Sequence, residues 1–234
     1  MHSTLSRLFA AVFSTAIAAA AAVVPSGPAV AAPHPTIRAM SGATPIAGLD
    51  PASTALVVID FQNEYFTGRM PIPDGAAALA NAKRLIQFAD QARIPVYHVQ
   101  HVAPAGSPVF AIDGPTVAFH PDIQPRAKDG VVQKENVSAF VGTDLDARLK
   151  AANIKTIVIA GLMTHACIAG AARDAAPLGY TVVVASDATA TRDIQRVNGE
   201  RVGHASLHAA ALAEIEDTFG DVLSTAQITR LPLH

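Results

Sequence analysis

Asp60, Lys134 and Cys167 are the side chains in this 234-residue sequence whose types suit carbonyl chemistry. A carboxylate moves protons, a thiol attacks carbon, and an ammonium holds negative charge beside them. Taken singly, each has a plainer role. Asp60 can cap a turn, Lys134 can be a solvated surface charge, and Cys167 can be a small buried hydrophobe. Cys167 is the only cysteine. It can form no internal disulfide and no multi-cysteine zinc site. His98 and His101 are the other candidates, but on a strand those positions face opposite sides. A metal shared between them is not expected, and no cofactor is.

The elements that must carry these residues read as alternating strands and helices. Ala55–Asp60 is a continuous apolar run ending in an acid, the pattern of a strand buried on both faces. Apolar positions recur at helical spacing over Gly75–Arg93. Strands follow at Pro95–His101 and Val131–Lys134. A helix over Thr143–Ala152, capped by Thr143, leads to a strand at Thr156–Gly161. A helix over His165–Leu178, a strand at Thr181–Ser186 and a helix over Val197–Asp217 complete the series. That order predicts an α/β three-layer sandwich: a mostly parallel central sheet with helices on both faces. Ligands of such sheets bind beyond the carboxyl ends of the strands. Asp60 and Lys134 each end a strand, and Cys167 begins the helix after another. A helix start also favours the thiolate, through free N–H groups and the helix dipole.

Hydrophobic residues make up 50% and charged residues 15%, which excludes a disordered chain. The formal charge of −2 and the lack of a basic block exclude a nucleic-acid grip through a charged face. The N-terminus is different in kind. Arg7 is followed by an apolar run from Leu8 to Val24, a Pro25-Ser26-Gly27 break and Ala29-Val30-Ala31. This is the pattern of a secretory signal over residues 1–31, with the alternative of an uncleaved anchor. Residues 32–53, rich in proline and without period, read as a linker or an extended arm. The domain proper spans 54–234. The expected location is outside the cytoplasm, periplasmic or secreted, with no stable membrane insertion once the signal is cut.

Three stretches resemble the isochorismatase-like cysteine hydrolases, a superfamily that includes nicotinamidases and N-carbamoylsarcosine amidohydrolases. They are Val57-Val-Ile-Asp60-Phe-Gln-Asn-Glu-Tyr65, Lys134-Glu-Asn-Val-Ser-Ala-Phe140 and Ala160-Gly-Leu-Met-Thr-His-Ala-Cys167. The resemblance implies a catalytic Asp60–Lys134–Cys167 triad and a cis peptide bond at Leu162–Met163. It also implies an oxyanion hole from the backbone N–H groups of Met163 and Cys167. The implied reaction is hydrolysis of a C–N bond in a small amide or carbamoyl compound through a thioester. Self-association into a homo-oligomer is implied too. Tyr65, Phe66, His101 and Phe140 are the expected pocket residues. The Asp-x-His metal motif of nicotinamidases is missing.

Two other readings stand beside this one. Isochorismatases proper cleave a vinyl ether without relying on the cysteine, and retention of Cys167 favours C–N cleavage. A non-catalytic, redox-responsive thiol is the second alternative, but it needs neither Asp60 nor Lys134. A dehalogenase-type phosphatase needs a second acid two residues after the first, where this chain has Gln62. The proline-rich segment from Val102 to Gly130 is long enough to cover a site or an interface.

Overall fold

The computed structural model describes residues 34–234. The predicted signal over residues 1–31 lies outside the described residues. Residues before the first strand form a one-turn helix α1 (Ile37–Met40) and an extended stretch. Arg38 and the Ile46 N–H both bond the Asp221 carboxylate at 2.8 Å, and the Leu49 N–H bonds the Pro232 carbonyl.

The body then runs β1 (Thr54–Ile59), α2 (Gly75–Ala92), β2 (Val96–His101), β3 (Gly130–Lys134), α3 (Leu145–Ala151) and β4 (Thr156–Leu162). A π-helical turn (Thr164–Ile168) leads into α4 (Ala169–Ala175). β5 (Thr181–Ala190), the small strands β6 (Ile194–Gln195) and β7 (Arg201–Val202), α5 (His204–Thr218), β8 (Asp221–Leu223) and α6 (Thr225–Ile228) follow.

Six strands form one sheet in the order β3-β2-β1-β4-β5-β8, and every pairing in it is parallel. All six residues of β1 are buried, because a central parallel strand is covered on both faces. Alternate side chains go to opposite layers. Leu56 and Val58 pack with Leu79, Ala82 and Leu85 of α2. Ala55, Val57 and Ile59 pack with Leu145, Leu149, Ala171 and Ile215 from α3, α4 and α5. From β1 the chain steps outward through β2 to β3, then returns to the other side of β1 for β4. The order therefore reverses between β1 and β4, where open α/β sheets form a ligand crevice. The predicted three-layer architecture is present.

Several local expectations need correction. No helix runs from Val197; residues 194–202 make the β6–β7 antiparallel pair, and α5 begins at His204. The turn at Asn198-Gly199, with Gly199 at φ 84°, favours a hairpin over a helix there. Thr143 is not the N-cap of α3. Asp144 is, while the Thr143 hydroxyl accepts from the Leu145 N–H and donates to the Ala139 carbonyl. The helix expected over His165–Leu178 is shorter and opens as a π-turn. The peptide bond Leu162–Met163 is cis.

Gly161 lets β4 lie close against β1. Its φ is +147°, and a Cβ there would lie 2.2 Å from the Ile59 carbonyl oxygen. Gly161→Ala is expected to destabilise the fold by about 2–4 kcal/mol, because neither backbone can yield. Thermal unfolding measures this, and an unchanged midpoint would contradict it.

Candidate active site

Three strand ends bring one buried cluster together. Asp60 follows β1 with φ 54°, a left-handed conformation that Asp tolerates better than most residues. Lys134 is the last residue of β3. Cys167 sits in the π-turn after β4. Asp60 is 0% exposed, Lys134 1% and Cys167 5%. The Lys134 ammonium lies 2.8 Å from Asp60 Oδ2 and 3.4 Å from Cys167 Sγ. It also donates to the Asn136 carbonyl at 3.2 Å and stands 3.0 Å from His101 Nδ1. Neither carboxylate oxygen of Asp60 accepts a well-directed hydrogen bond among the described residues, although the ammonium is close. That leaves lone pairs free to take a proton.

The charges follow from these contacts. Burial opposes the Lys134 charge, but Asp60 beside it, with Cys167, more than offsets burial, so the ammonium titrates above its ordinary range. Cys167 behaves oppositely to the helix-start expectation. Its thiol is pushed up to about 12, first by burial and then by the negative charge of Asp60, which outweigh Lys134. The resting sulfur is therefore a thiol. At neutral pH the folded protein is expected to show no ultraviolet thiolate band attributable to Cys167. A band removed by Cys167→Ala would contradict this. His101 titrates below its ordinary range, through burial and then Lys134, so it is neutral and accepts from the ammonium.

Two histidine–threonine contacts hold the π-turn that carries Cys167. Thr164 Oγ1 is 2.9 Å from His208 Nδ1 on α5, and His165 Nδ1 contacts Thr191 Oγ1 just past β5. Gln62, fully buried, ties three segments together. Its amide nitrogen donates to the carbonyls of His101 and Val117, and its oxygen accepts from the His101 N–H. Glu64 accepts from the Arg69 N–H and the Thr116 hydroxyl. Through Val117 and Thr116 these two residues fasten the 102–130 segment over the strand ends. Phe110 from that segment packs edge-on against both Tyr65 and His101, at 5.3 and 4.9 Å between ring centroids.

The pocket residues proposed from sequence separate into two groups. Tyr65 and His101 both pack against Phe110, and His101 reaches Lys134. Phe66 does not join them: its ring lies 4.4 Å from that of His120 and lines a groove along α2 with Leu79, Lys83 and Gln87. The rings of the adjacent residues 65 and 66 thus meet different partners, Phe110 and His120. Phe140 is placed in the layer of α3, 6.0 Å from the Tyr180 ring. His98 and His101 do not converge. His98 Nε2 stands 3.4 Å from Asp129, while His101 reaches Lys134. Among the described residues, no group of three or more His, Cys, Asp or Glu is arranged to hold a metal ion.

Gln62, Glu64, Thr164 and His208 were not singled out in the sequence as positioning groups. An amide or acid just past a strand end is a weak signal, and His208 is 44 residues from the threonine it contacts. Just past β5, Arg192 and Asp193 take different partners. Asp193 pairs with Arg201 and His204. The Arg192 guanidinium donates to the Asp193 carbonyl, and its Nε is buried without an acceptor among the described residues.

The match to known proteins covers most of the chain. Residues 54–227 match the isochorismatase domain model. A secreted isochorismatase effector, Isc1, from Verticillium dahliae is 34% identical over 82% of this chain and 98% of its own length. Maleamate amidohydrolase from Pseudomonas putida is 31% identical over 73% of this chain and 82% of its own. The crystal structure of a cysteine hydrolase from Pseudomonas syringae pv. phaseolicola superimposes with a TM-score of 0.75 at 28% identity, covering 84% of this chain and 96% of that one. With a sheet of this order, a buried acid–amine–thiol cluster and a domain match of this extent, the chain belongs to the isochorismatase family.

Proposed function

We propose that the protein hydrolyses a C–N bond in a small amide or carbamoyl compound, with Cys167 as nucleophile, Asp60 as proton carrier and Lys134 as the fixed positive charge between them. The observation that carries this reading is the burial of all three groups together, with the ammonium 2.8 Å from the carboxylate and 3.4 Å from the sulfur.

The steps follow from the resting charges. The thiol proton passes to Asp60 as the sulfur bonds to the carbonyl carbon, so a free thiolate need not accumulate. The C=O electron pair moves onto oxygen. The Met163 N–H, which meets no acceptor among the described residues, and the Cys167 N–H are the proposed donors to that oxyanion. Removing one such donor typically costs about 3–4 kcal/mol of transition-state stabilisation. As the C–N bond breaks, Asp60 returns the proton to nitrogen. Water then attacks the thioester, giving up its proton to Asp60. The C–S bond breaks and the sulfur takes that proton back. The products are a carboxylic acid and ammonia or an amine. Throughout, Lys134 offsets negative charge as it moves between carboxylate and sulfur.

The maleamate amidohydrolase relative and the cysteine-hydrolase neighbour support this class of reaction. Export through the N-terminal segment, and self-association of the chain, belong to the same proposal. The secreted relative supports export, and no described helix is long and apolar enough to cross a membrane.

The test is a panel of small amides and ureido acids, assayed with a reductant after dialysis against a chelator. Release of ammonia or amine from at least one member is expected, undiminished by the chelator. His98 and His101 have separate partners, so no metal-dependent step is proposed. Activity lost to the chelator and restored by a divalent ion would overturn that part of the proposal. Failure of every member, with turnover of a vinyl ether instead, would overturn the C–N assignment.

A further inference from the structure

The turn that carries Cys167 is wound in an uncommon way. The Met163 carbonyl accepts from the Ala166 and Ile168 N–H groups, at 3.1 and 3.2 Å, and not from the Cys167 N–H between them. An ordinary α-helix would send the Cys167 N–H to that carbonyl. The wider winding leaves this N–H unclaimed by Met163. Such single π-turns are rare and need support from outside the turn.

His208 supplies support from α5. Its Nδ1 lies 2.9 Å from Thr164 Oγ1, in the first position of the turn. Thr164 is fully buried, and its hydroxyl has no other hydrogen-bond partner among the described residues. Burial holds His208 below its ordinary range, so the ring is neutral. A buried hydroxyl places its proton on an acceptor. The Thr164 hydroxyl therefore donates to Nδ1, and the ring proton sits on Nε2. Thr164 itself stands between the two backbone N–H groups proposed to bind the oxyanion, those of Met163 and Cys167.

His208 does not belong to the acid–amine–thiol cluster. It is half-buried and lines a separate cavity of about 260 Å³ with Asn81, Ser186, Thr191 and His204, which none of Asp60, Lys134 and Cys167 lines.

We propose that His208 is a positioning residue: by accepting the Thr164 hydroxyl it holds the π-turn so that the Cys167 thiol and the two backbone donors meet the same carbonyl group. This inference rests on the amide-hydrolase reading. Misalignment of these groups weakens the transition state more than substrate binding, so the effect belongs in kcat.

The experiment measures kcat and KM on an amide that the wild type turns over. Thermal midpoints are read alongside, so that loss of folded protein is not counted as loss of rate. In His208→Ala and in Thr164→Val, kcat is expected to fall about 10- to 100-fold, with KM changed less than about threefold. Thr164→Ser keeps the hydroxyl and is expected to stay within about threefold of wild type. The double variant is expected to be no slower than the slower single one, because both changes remove one contact. In His208→Ala the emptied ring site opens onto the cavity. Added imidazole is therefore expected to raise its kcat about fivefold or more, and to leave Thr164→Val unchanged. Wild-type kcat in either single variant, losses that multiply in the double variant, or no effect of imidazole on His208→Ala would overturn the role of His208 while leaving the hydrolase reading in place. No turnover of any amide by the wild type would overturn the hydrolase reading, and this inference with it.

Discussion

Cys167→Ala is expected to lower amide hydrolysis by about four to six orders of magnitude, the scale seen when a nucleophile that works as part of a unit is removed. No other cysteine exists to take over. The fold should persist. Alanine is a good helix former, the thiol is small, and the lost contacts cost about 1 kcal/mol. Cys167→Ser should be nearly as poor. A hydroxyl is much less acidic than a thiol, and the same burial that raises the Cys167 thiol to about 12 opposes an alkoxide still more strongly. Rates and thermal midpoints of the two variants separate chemistry from folding. Full activity of the alanine variant would point to cysteine-independent cleavage of the kind attributed to isochorismatases proper.

Lys134→Ala is expected to damage both stability and rate. The ammonium is buried against Asp60 Oδ2 at 2.8 Å, with both side chains sealed from solvent. Removing one member of such a pair leaves an uncompensated buried charge, which costs about 3–5 kcal/mol. His101 also loses its donor. The variant should therefore unfold at lower denaturant concentration and have no measurable turnover. Asp60→Asn keeps the shape and removes the proton carrier, but it leaves the Lys134 ammonium buried without its counter-charge. Its stability loss should be comparable and its rate loss as large. A Lys134→Ala variant as stable as wild type would contradict the burial of the pair.

The central sheet was legible because a parallel strand covered on both faces reads as a near-continuous apolar run, as β1 and β4 do after their first threonines. That Asp60, Lys134 and Cys167 come together was legible for a related reason. In such a sheet the residues just past the strands gather at one edge, so Asp60 and Lys134 declare themselves by position. β8 was not legible. It has three residues, begins with Asp221, and shows no period. Its acid is explained by Arg38 and the Ile46 N–H, partners 175 or more residues away. The π-turn was read as ordinary helix because nothing local in Thr164–Ile168 distinguishes the two; contacts from His208 and Thr191 hold it. The helix-start argument for the thiolate is local, whereas the burial and the Asp60 charge that oppose it are properties of the assembled site. The different partners of Tyr65 and Phe66 were illegible for the same reason, since Phe110 and His120 come from the 102–130 segment, distant in sequence.

Mass spectrometry of the protein quenched during turnover tests the central claim most directly. The account predicts a covalent adduct with the mass of the substrate's acyl group, mapped to Cys167 and missing from Cys167→Ala. Steady turnover with Cys167 unmodified at every quench time, and retained when that residue is alanine, would contradict it.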